Sequence, residues 1–417
     1  MTYINHKKWK QKSLELNVAS RLSNLNFKEK KENESNMVDI PDLPLDQLEE
    51  AMNQTQEDKT IKDESGGSVV FGVIGTGQGG GRLAESFHKL GYKKCLAVNT
   101  AEHDLNGLKT LPDNQKLLFD TGTAGGAGKD MERGREAAEK NSQTVLEKLQ
   151  ELFGQVDRIL ICAGSGGGSG GGSCLTLVSV AKRYLTYLGV EDVDSKVGVV
   201  LTLPTSGECA SPVVASNAHA LATSLCDMAD KKEIGSLIIF DNDKIKNLYP
   251  NLTVNQFWPT VNATVSGLFH VFNVLSTKTG NPTTFDPTDY SKVLSSGGCT
   301  IMGLNSLSKV ESGNDVSKAI RDNLERTLLC TGFDLKTAST AACIATASEN
   351  MLNNVAGLMN SLESGFDTLA NVTGNATVFR GIYESEKEKL VIYTMLSGLS
   401  SPKKRLNELL KFQQLKK

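Results

Sequence analysis

Glycine marks where this sequence does its chemistry. The stretch "AGSGGGSGGGS", Ala163 to Ser173, packs seven glycines into eleven residues. It follows the apolar run "DRILIC" and precedes the helix-like "CLTLVSVAKRYL". A second cluster, "GTGQGGGR" at Gly75 to Arg82, also joins a strand-like run to a helix-like one. A third, "GTAGGAGKDMERG" from Gly122 to Gly134, repeats the arrangement. So much glycine is entropically costly to order. Backbone N–H groups free of side chains approach a phosphate closely, and a helix N-terminus adds a favourable dipole. Three such loops suit a di- or triphosphate with little neutralisation by lysine. No GxxxxGK[ST] is present, so this is not a P-loop. Gly75, Gly77 and Gly80 satisfy GxGxxG, but a dinucleotide fold wants an acid at the end of its second strand. That strand ends "AVNT", which puts Asn99 there and leaves the 163–173 run without a role.

The elements that must hold these loops are read from periodicity. Strand candidates are Val69–Ile74, Cys95–Val98, Lys116–Phe119, Arg158–Cys162, Val197–Leu203 and Ser236–Phe240. Between them, helical spacing fits Leu83–Leu90, Met131–Phe153, Leu175–Leu188 and Val213–Met228. This alternation predicts an α/β fold with a mainly parallel sheet whose ligand sits at the carboxyl ends of the strands. A long helix follows at Val254–Thr277, with Pro259 tolerable only near its start. The remainder predicts a smaller α/β C-terminal domain. Its strands are Cys299–Gly303, Ala341–Ala345, Thr377–Tyr383 and Lys389–Thr394, and its helices Ser317–Leu329 and Asn350–Leu362. The organisation is therefore a polar arm over 1–66, read as mostly disordered, a nucleotide domain over 67–253, a central helix over 254–277, a C-terminal domain over 278–400 and a basic tail over 401–417.

At 417 residues the chain can bury a sizeable core. A net charge of −3 predicts no general affinity for nucleic acid or membrane. No apolar run is long enough for a transmembrane segment, and the N-terminus lacks the apolar core of a signal peptide. The eight cysteines are scattered without a CxxC pair, which predicts reduced thiols in a cytoplasmic protein. The five histidines show no metal-ligand spacing.

Together these motifs resemble the tubulin/FtsZ superfamily of GTPases, in a prokaryotic or phage style similar to FtsZ and TubZ. "GGGSGGG", Gly166 to Gly172, is similar to the signature loop GGGTGTG or GGGTGSG, with Ser169 for Thr and Gly171 for Thr or Ser. "GTGQGGGR", "AVNT" and "GGAGKDMERGREAA" resemble its first three phosphate loops, "LTLPTSGE" its ribose loop and "FDND" its base loop. "WPTVNATVSG" is similar to the start of its central helix, and "TFDPTDYSKVLSSGGCTIMGLN" to the acidic stretch beyond it. The likeness runs in order over most of residues 68–395.

The resemblance implies GTP/GDP with Mg2+ as the ligands. It implies contacts from Gly75, Gly77, Gln78, Gly79, Gly80 and Arg82 in the first loop and Asn99 in the second. Gly125, Gly126, Ala127 and Gly128 follow in the third, and Gly164, Gly166, Gly167, Gly168, Ser169 and Gly170 in the signature loop. Glu208 is expected on the ribose, and Asn242, Trp258 and Asn262 at the base. Asp286 and Asp289 are expected as the catalytic acids, inserted into the next subunit's site, with Thr284 in place of the family Asn. Hydrolysis then requires assembly, and a head-to-tail contact that does not close makes a filament. The implied roles are division, DNA segregation or phage or plasmid positioning.

Departures from the family pattern include Ala101 for an Asp, which leaves Glu102 as a candidate cation ligand, and Pro212 for an Arg. The alternative function is a nucleotide-binding structural or regulatory protein without hydrolysis. The tail "SPKKRLNELLKFQQLKK" has two readings. It engages an adaptor protein through its basic residues, or it packs back on the body through Leu406, Leu409, Leu410 and Phe412. Bound nucleic acid is not expected.

Overall fold

The computed structural model describes residues 64–122, 125–325, 330–374 and 376–414. The polar arm up to residue 63 lies outside the described residues. Residues 64–66, the end of the expected arm, are described, and Ser65 is fully buried, so the packed body includes residues before the expected "SVVFGVI".

In the first half one or two helices separate each pair of successive strands: β1 (Phe71–Thr76), α1 (Gly77–Lys89), β2 (Cys95–Asn99), α2 (Glu102–Asn106), β3 (Lys116–Leu118), α3 (Met131–Lys140), α4 (Ser142–Leu152), β4 (Arg158–Gly164) and α5 (Gly168–Tyr187). It continues with α6 (Val193–Lys196), β5 (Val197–Leu203), α7 (Ser206–Cys209), α8 (Pro212–Asp230), β6 (Leu237–Asp241) and α9 (Asn242–Leu248). The central helix is α10 (Val254–Leu275). After it come α11 (Pro287–Leu294), β7 (Cys299–Leu307), α12 (Asn314–Glu325), β8 (Thr340–Ala347), α13 (Glu349–Asn354), α14 (Leu358–Val372), β9 (Thr377–Glu384), β10 (Leu390–Leu399) and α15 (Lys403–Gln414).

All ten strands form one sheet in the order β3-β2-β1-β4-β5-β6-β7-β10-β8-β9. Strands β1 to β6 are parallel, and except for the edge strand β3 their apolar runs are buried along most of their length, as a sheet covered on both faces requires. β7 joins β6 through two register pairs, Leu237 with Cys299 and Ile238 with Thr300. Beyond that seam the β7–β10 and β10–β8 pairings are antiparallel. The mainly parallel α/β architecture matches the expectation, and the C-terminal strands extend the same sheet.

The largest boundary differences lie at the glycine runs. α1 and α5 begin at Gly77 and Gly168 instead of Leu83 and Leu175, because the glycines themselves form the first turns. The expected Met131–Phe153 helix breaks at Asn141. The Asn350–Leu362 helix is two helices separated at Gly357, whose φ of 79° needs glycine. Pro259 sits inside the second turn of α10.

An aromatic chain ties the halves together through α10. Phe269 meets Phe71 at 4.9 Å, Phe87 at 5.7 Å and Tyr290 at 6.3 Å, all edge-on. Arg158, at the start of β4, donates to the carbonyl oxygen of Ser195 at 2.7 Å and to that of Ser291 on α11 at 3.0 Å. Burial pulls its pKa down to about 10.

The tail is a helix packed on the body. Leu409 is fully buried and Leu406 nearly so, with α15 lying against α8. Arg405 is buried too and forks onto Asp241, Nε to Oδ2 at 2.7 Å and Nη2 to Oδ1 at 3.0 Å. Of the two readings of the tail, the structure follows the one in which it packs back on the body, through Leu406 and Leu409. Lys403, Lys404 and Lys411 stay exposed, whereas Arg405 is part of the fold.

Candidate functional site

The carboxyl ends of β1, β2, β4, β5 and β6 open on one cavity of about 520 Å³. Its phosphate-sized end is built from backbone. Gly77 and Gly168 are the first residues of α1 and α5, and both line the cavity. Two helix N-termini thus present first-turn N–H groups and positive dipole ends to the same space. Gly77 has φ of 69°, and a Cβ there would stand 2.8 Å from the Gly170 nitrogen. The first and signature loops therefore interlock main chain on main chain, and glycine is required by contact as well as by ligand approach. Gly167 has open space around its Cβ position.

One hydroxyl ties three loops. Thr100, following Asn99, places Oγ1 2.5 Å from the Ser169 hydroxyl and accepts the Ala127 N–H at 2.9 Å. The Gly168 N–H reaches the Gly128 carbonyl at 2.9 Å. A hydroxyl relay runs beneath them, with Ser173 Oγ 2.5 Å from Thr76 Oγ1 and donating to the Ser169 carbonyl at 2.6 Å.

At the other end the lining turns apolar and amide-bearing. Trp258 and Asn262 lie one turn apart on α10 and both line the cavity, with Val261 and Val265 beside them. Asn242, first residue of α9, lines it from below β6 and is 6 % exposed. Its Oδ1 is buried without a hydrogen-bond partner among the described residues, a state that favours a ligand donor there. Glu208 lines the rim while its Oε2 accepts the Thr205 N–H at 2.8 Å in a capping box that fixes α7.

The cavity thus gathers Gly77, Gln78, Gly79, Arg82, Asn99, Gly128, Gly164, Gly166, Gly167, Gly168, Ser169, Gly170, Glu208, Asn242, Trp258 and Asn262 from the expected set. Five expected residues do not line it. Gly75 and Gly80 are packing glycines: a Cβ on Gly75 would meet the Gly80 carbonyl at 2.4 Å, and one on Gly80 the Cys162 carbonyl at 2.0 Å. Gly126 turns with φ of 65° against the Thr100 carbonyl, and Ala127 is buried on the Thr100 hydroxyl. Gly125 has open space around it, away from the cavity wall.

Sequence reasoning missed Asp104, Lys129 and Thr202, which also line the cavity. Asp104 accepts from Gln78 Nε2 at 2.9 Å and from Asn99 Nδ2 at 3.2 Å. It follows Glu102 by two residues in α2, whereas Glu102 is exposed and off the cavity wall. The available signal was that an acid two places on rejoins the same loop. Thr202 had none, since only the β4–β5 register brings it beside Gly164.

Asp286 and Asp289 do not line the cavity. They open α11, where Asp286 Oδ1 accepts the Asp289 N–H at 2.9 Å in a reciprocal cap. Asp286 is exposed and Asp289 half-buried. Burial, with the Asp286 charge adding to it, pushes the Asp289 carboxyl above its usual range. The preceding Phe285 is buried, and its N–H donates to the Tyr383 hydroxyl at 2.9 Å. Among the described residues no cluster of three metal-ligating side chains occurs, and no helix is long and apolar enough to cross a membrane.

Comparison with known proteins agrees with this geometry. Residues 70–250 match the tubulin/FtsZ family GTPase domain, and residues 271–409 match the C-terminal domain of TubZ-like tubulin/FtsZ-like proteins. The chain is 27 % identical over 364 residues to Cell division protein FtsZ 2 of Methanocaldococcus jannaschii, covering 85 % of this chain and 86 % of that one. It is 26 % identical to the tubulin-like protein CetZ of Pyrococcus abyssi, over 79 % of this chain and 86 % of that one. In structure it is similar to TubZ of Bacillus thuringiensis serovar israelensis in GDP-form protofilaments. There the TM-score is 0.69 at 21 % identity, covering 87 % of this chain and 94 % of that one. It is also similar to the GTPγS-bound protofilament of CetZ2 from Haloferax volcanii, with a TM-score of 0.65 at 21 % identity over 82 % and 98 % of the two chains. With two matched domains spanning most of its length and a fold shared with solved members, the chain belongs to the tubulin/FtsZ family of cytoskeletal GTPases.

Proposed function

We propose that the protein binds GTP in the glycine-lined cavity and assembles head to tail into filaments, with hydrolysis completed by Asp286 and Asp289 of the adjoining subunit. One observation carries this reading. The glycine turns line the cavity, while the acid pair sits outside it at the exposed start of α11. The acids then reach a nucleotide only across a contact between subunits. Protofilaments of the similar TubZ and CetZ2 support such a contact.

Phosphoryl transfer depends mainly on positioning and charge stabilisation. The N–H groups of the Gly77 and Gly168 turns take the charge that grows on the phosphate oxygens. The partner's carboxylates orient the attacking water, and the Asp289 carboxyl, held above its usual range by burial, is the better placed of the two to take up its proton. Magnesium bound with the nucleotide would offset phosphate charge. Asp104, Asn99 and Gln78, which line the cavity, would supply oxygen ligands of the hard kind it takes. Asn242 and Asn262 read the base edge, Trp258 stacks on it and Glu208 holds the ribose. We assign the exposed Lys403, Lys404 and Lys411 to an adaptor surface. The eight cysteines are buried as thiols, which suits the cytoplasm.

The second reading, binding without hydrolysis, has one observation in its favour: the reciprocal cap accounts for Asp286 and Asp289 structurally. Light scattering and phosphate release, each with GTP and with GDP, decide between the readings. Assembly with GTP and phosphate release that rises with protein concentration support the first. Tight GTP binding without either supports the second.

A further inference from the structure

Two carboxylates, Asp241 and Asp243, flank Asn242, and they are held from opposite sides. Asp241 ends β6 and caps α9, accepting the Asp243 N–H at 3.2 Å. Both of its oxygens are taken by the Arg405 fork from α15, with side chains only 7 % and 9 % exposed. Asp243 turns the other way. Its oxygens accept the Ser206 N–H at 2.9 Å and the Ser206 hydroxyl at 2.6 Å. Ser206 opens α7, the helix whose Glu208 lines the cavity. Asn242 lies between the two anchors, faces the cavity, and keeps its buried Oδ1 without a partner among the described residues.

We propose that Arg405 is a positioning residue for Asn242. The C-terminal helix, through its fork on Asp241, sets the angle at which the Asn242 amide meets the nucleobase. This rests on the reading of the cavity as a nucleotide site and adds to it a determinant of base selectivity outside the cavity wall. The physical reason is geometric. A bidentate guanidinium–carboxylate pair fixes a plane as well as a distance. Asp241 therefore cannot swing without breaking two charge-assisted bonds, and its neighbour inherits that rigidity. The phosphate cradle has no such link, since its loops are tied by Thr100, Ser169 and Ala127 at the far end of the cavity.

The test compares the affinities of GTP, ATP and inorganic tripolyphosphate by calorimetry for wild type, Arg405→Gln, Asn242→Ala and the double variant. Arg405→Gln is expected to weaken GTP binding about tenfold, the worth of one misaligned hydrogen bond, and to leave tripolyphosphate affinity unchanged. In the Asn242→Ala background the same change is expected to cost nothing further. Arg405→Lys keeps the charge without the fork and is expected to fall between. It also serves as the reporting variant if Arg405→Gln does not fold. Equal loss for GTP and tripolyphosphate, or additive losses in the double variant, overturns the proposal and leaves Arg405 a purely structural anchor. A wild type that binds GTP no better than ATP overturns the underlying base reading instead.

Discussion

The Ser169 hydroxyl lies 2.5 Å from the hydroxyl of Thr100, so the signature loop is latched to the turn after β2. The same Thr100 oxygen accepts the N–H of the buried Ala127. Three loops that the sequence spaces tens of residues apart thus share one oxygen.

Replacing Thr100 by valine keeps the shape and removes that oxygen. It leaves the Ala127 N–H unsatisfied, which costs about 1–3 kcal/mol. Urea unfolding is expected to show this loss, and calorimetry a drop in nucleotide affinity. Thr100→Ser is expected to restore both. Unchanged affinity in the valine variant rules out the latch as a determinant of binding.

Adjacent glycines predict opposite outcomes. A Cβ at Gly80 would stand 2.0 Å from the Cys162 carbonyl, and one at Gly79 meets nothing nearer than Thr202 Oγ1 at 3.7 Å. Gly80→Ala is expected to lose on the order of 3 kcal/mol or more by forcing α1 off the sheet. Gly79→Ala is expected to melt near the wild-type temperature. Thermal melts of the two variants check the contrast, and equal melting temperatures refute it.

Asp286→Asn separates catalysis from capping. Asparagine caps a helix about as well as aspartate, so stability is expected to hold within ~0.5 kcal/mol. Phosphate release is expected to fall about 100-fold or more if the carboxylate orients water. Mixing this variant with Trp258→Ala is expected to regain turnover, because one interface in the mixture joins an intact cavity to an intact acid pair. A mixture no faster than its components argues against catalysis across subunits.

Acid is expected to weaken the fold through His270. This imidazole is buried on α10, with Nδ1 3.2 Å from the Tyr92 hydroxyl, and burial pulls its pKa down from 6.5 to about 4. Below pH 6.5 the unfolded chain takes up a proton that the folded chain refuses. Stability therefore holds above that pH and falls as the pH drops from 6.5 toward 4, by roughly 3 kcal/mol in all. Urea midpoints across this window test the slope. His270→Phe is expected to flatten it, and an equal slope in that variant assigns the acid sensitivity elsewhere.

What the sequence made legible follows from what is local. The three glycine loops and the strand runs each declare themselves within a dozen residues, whereas the acid pair stands out only through the family resemblance. The sequence did not separate glycines that face a ligand from those that face a carbonyl. Gly79 and Gly80 read alike, and only the β1–β4 register puts Cys162 beside the second. Thr202 and Asp104 enter the cavity through strand order and a helix turn. The sequence did not pair Arg405 with Asp241, because the two lie 164 positions apart. Distance along the chain, not weakness of the contact, hid it.

The seam between β6 and β7 has a mechanical meaning. Two register pairs join the strands there, against eight between β7 and β10. In a filament under tension, load entering one half of a subunit leaves through the other, and the sheet is narrowest at this point. The Arg158 bridge to the Ser291 carbonyl runs alongside as a parallel cable. Pulled from its two ends, the molecule is expected to yield first at this joint, and at lower force once Arg158 is replaced by alanine. A first rupture inside β1–β6 in an optical-trap trace places the weak link elsewhere.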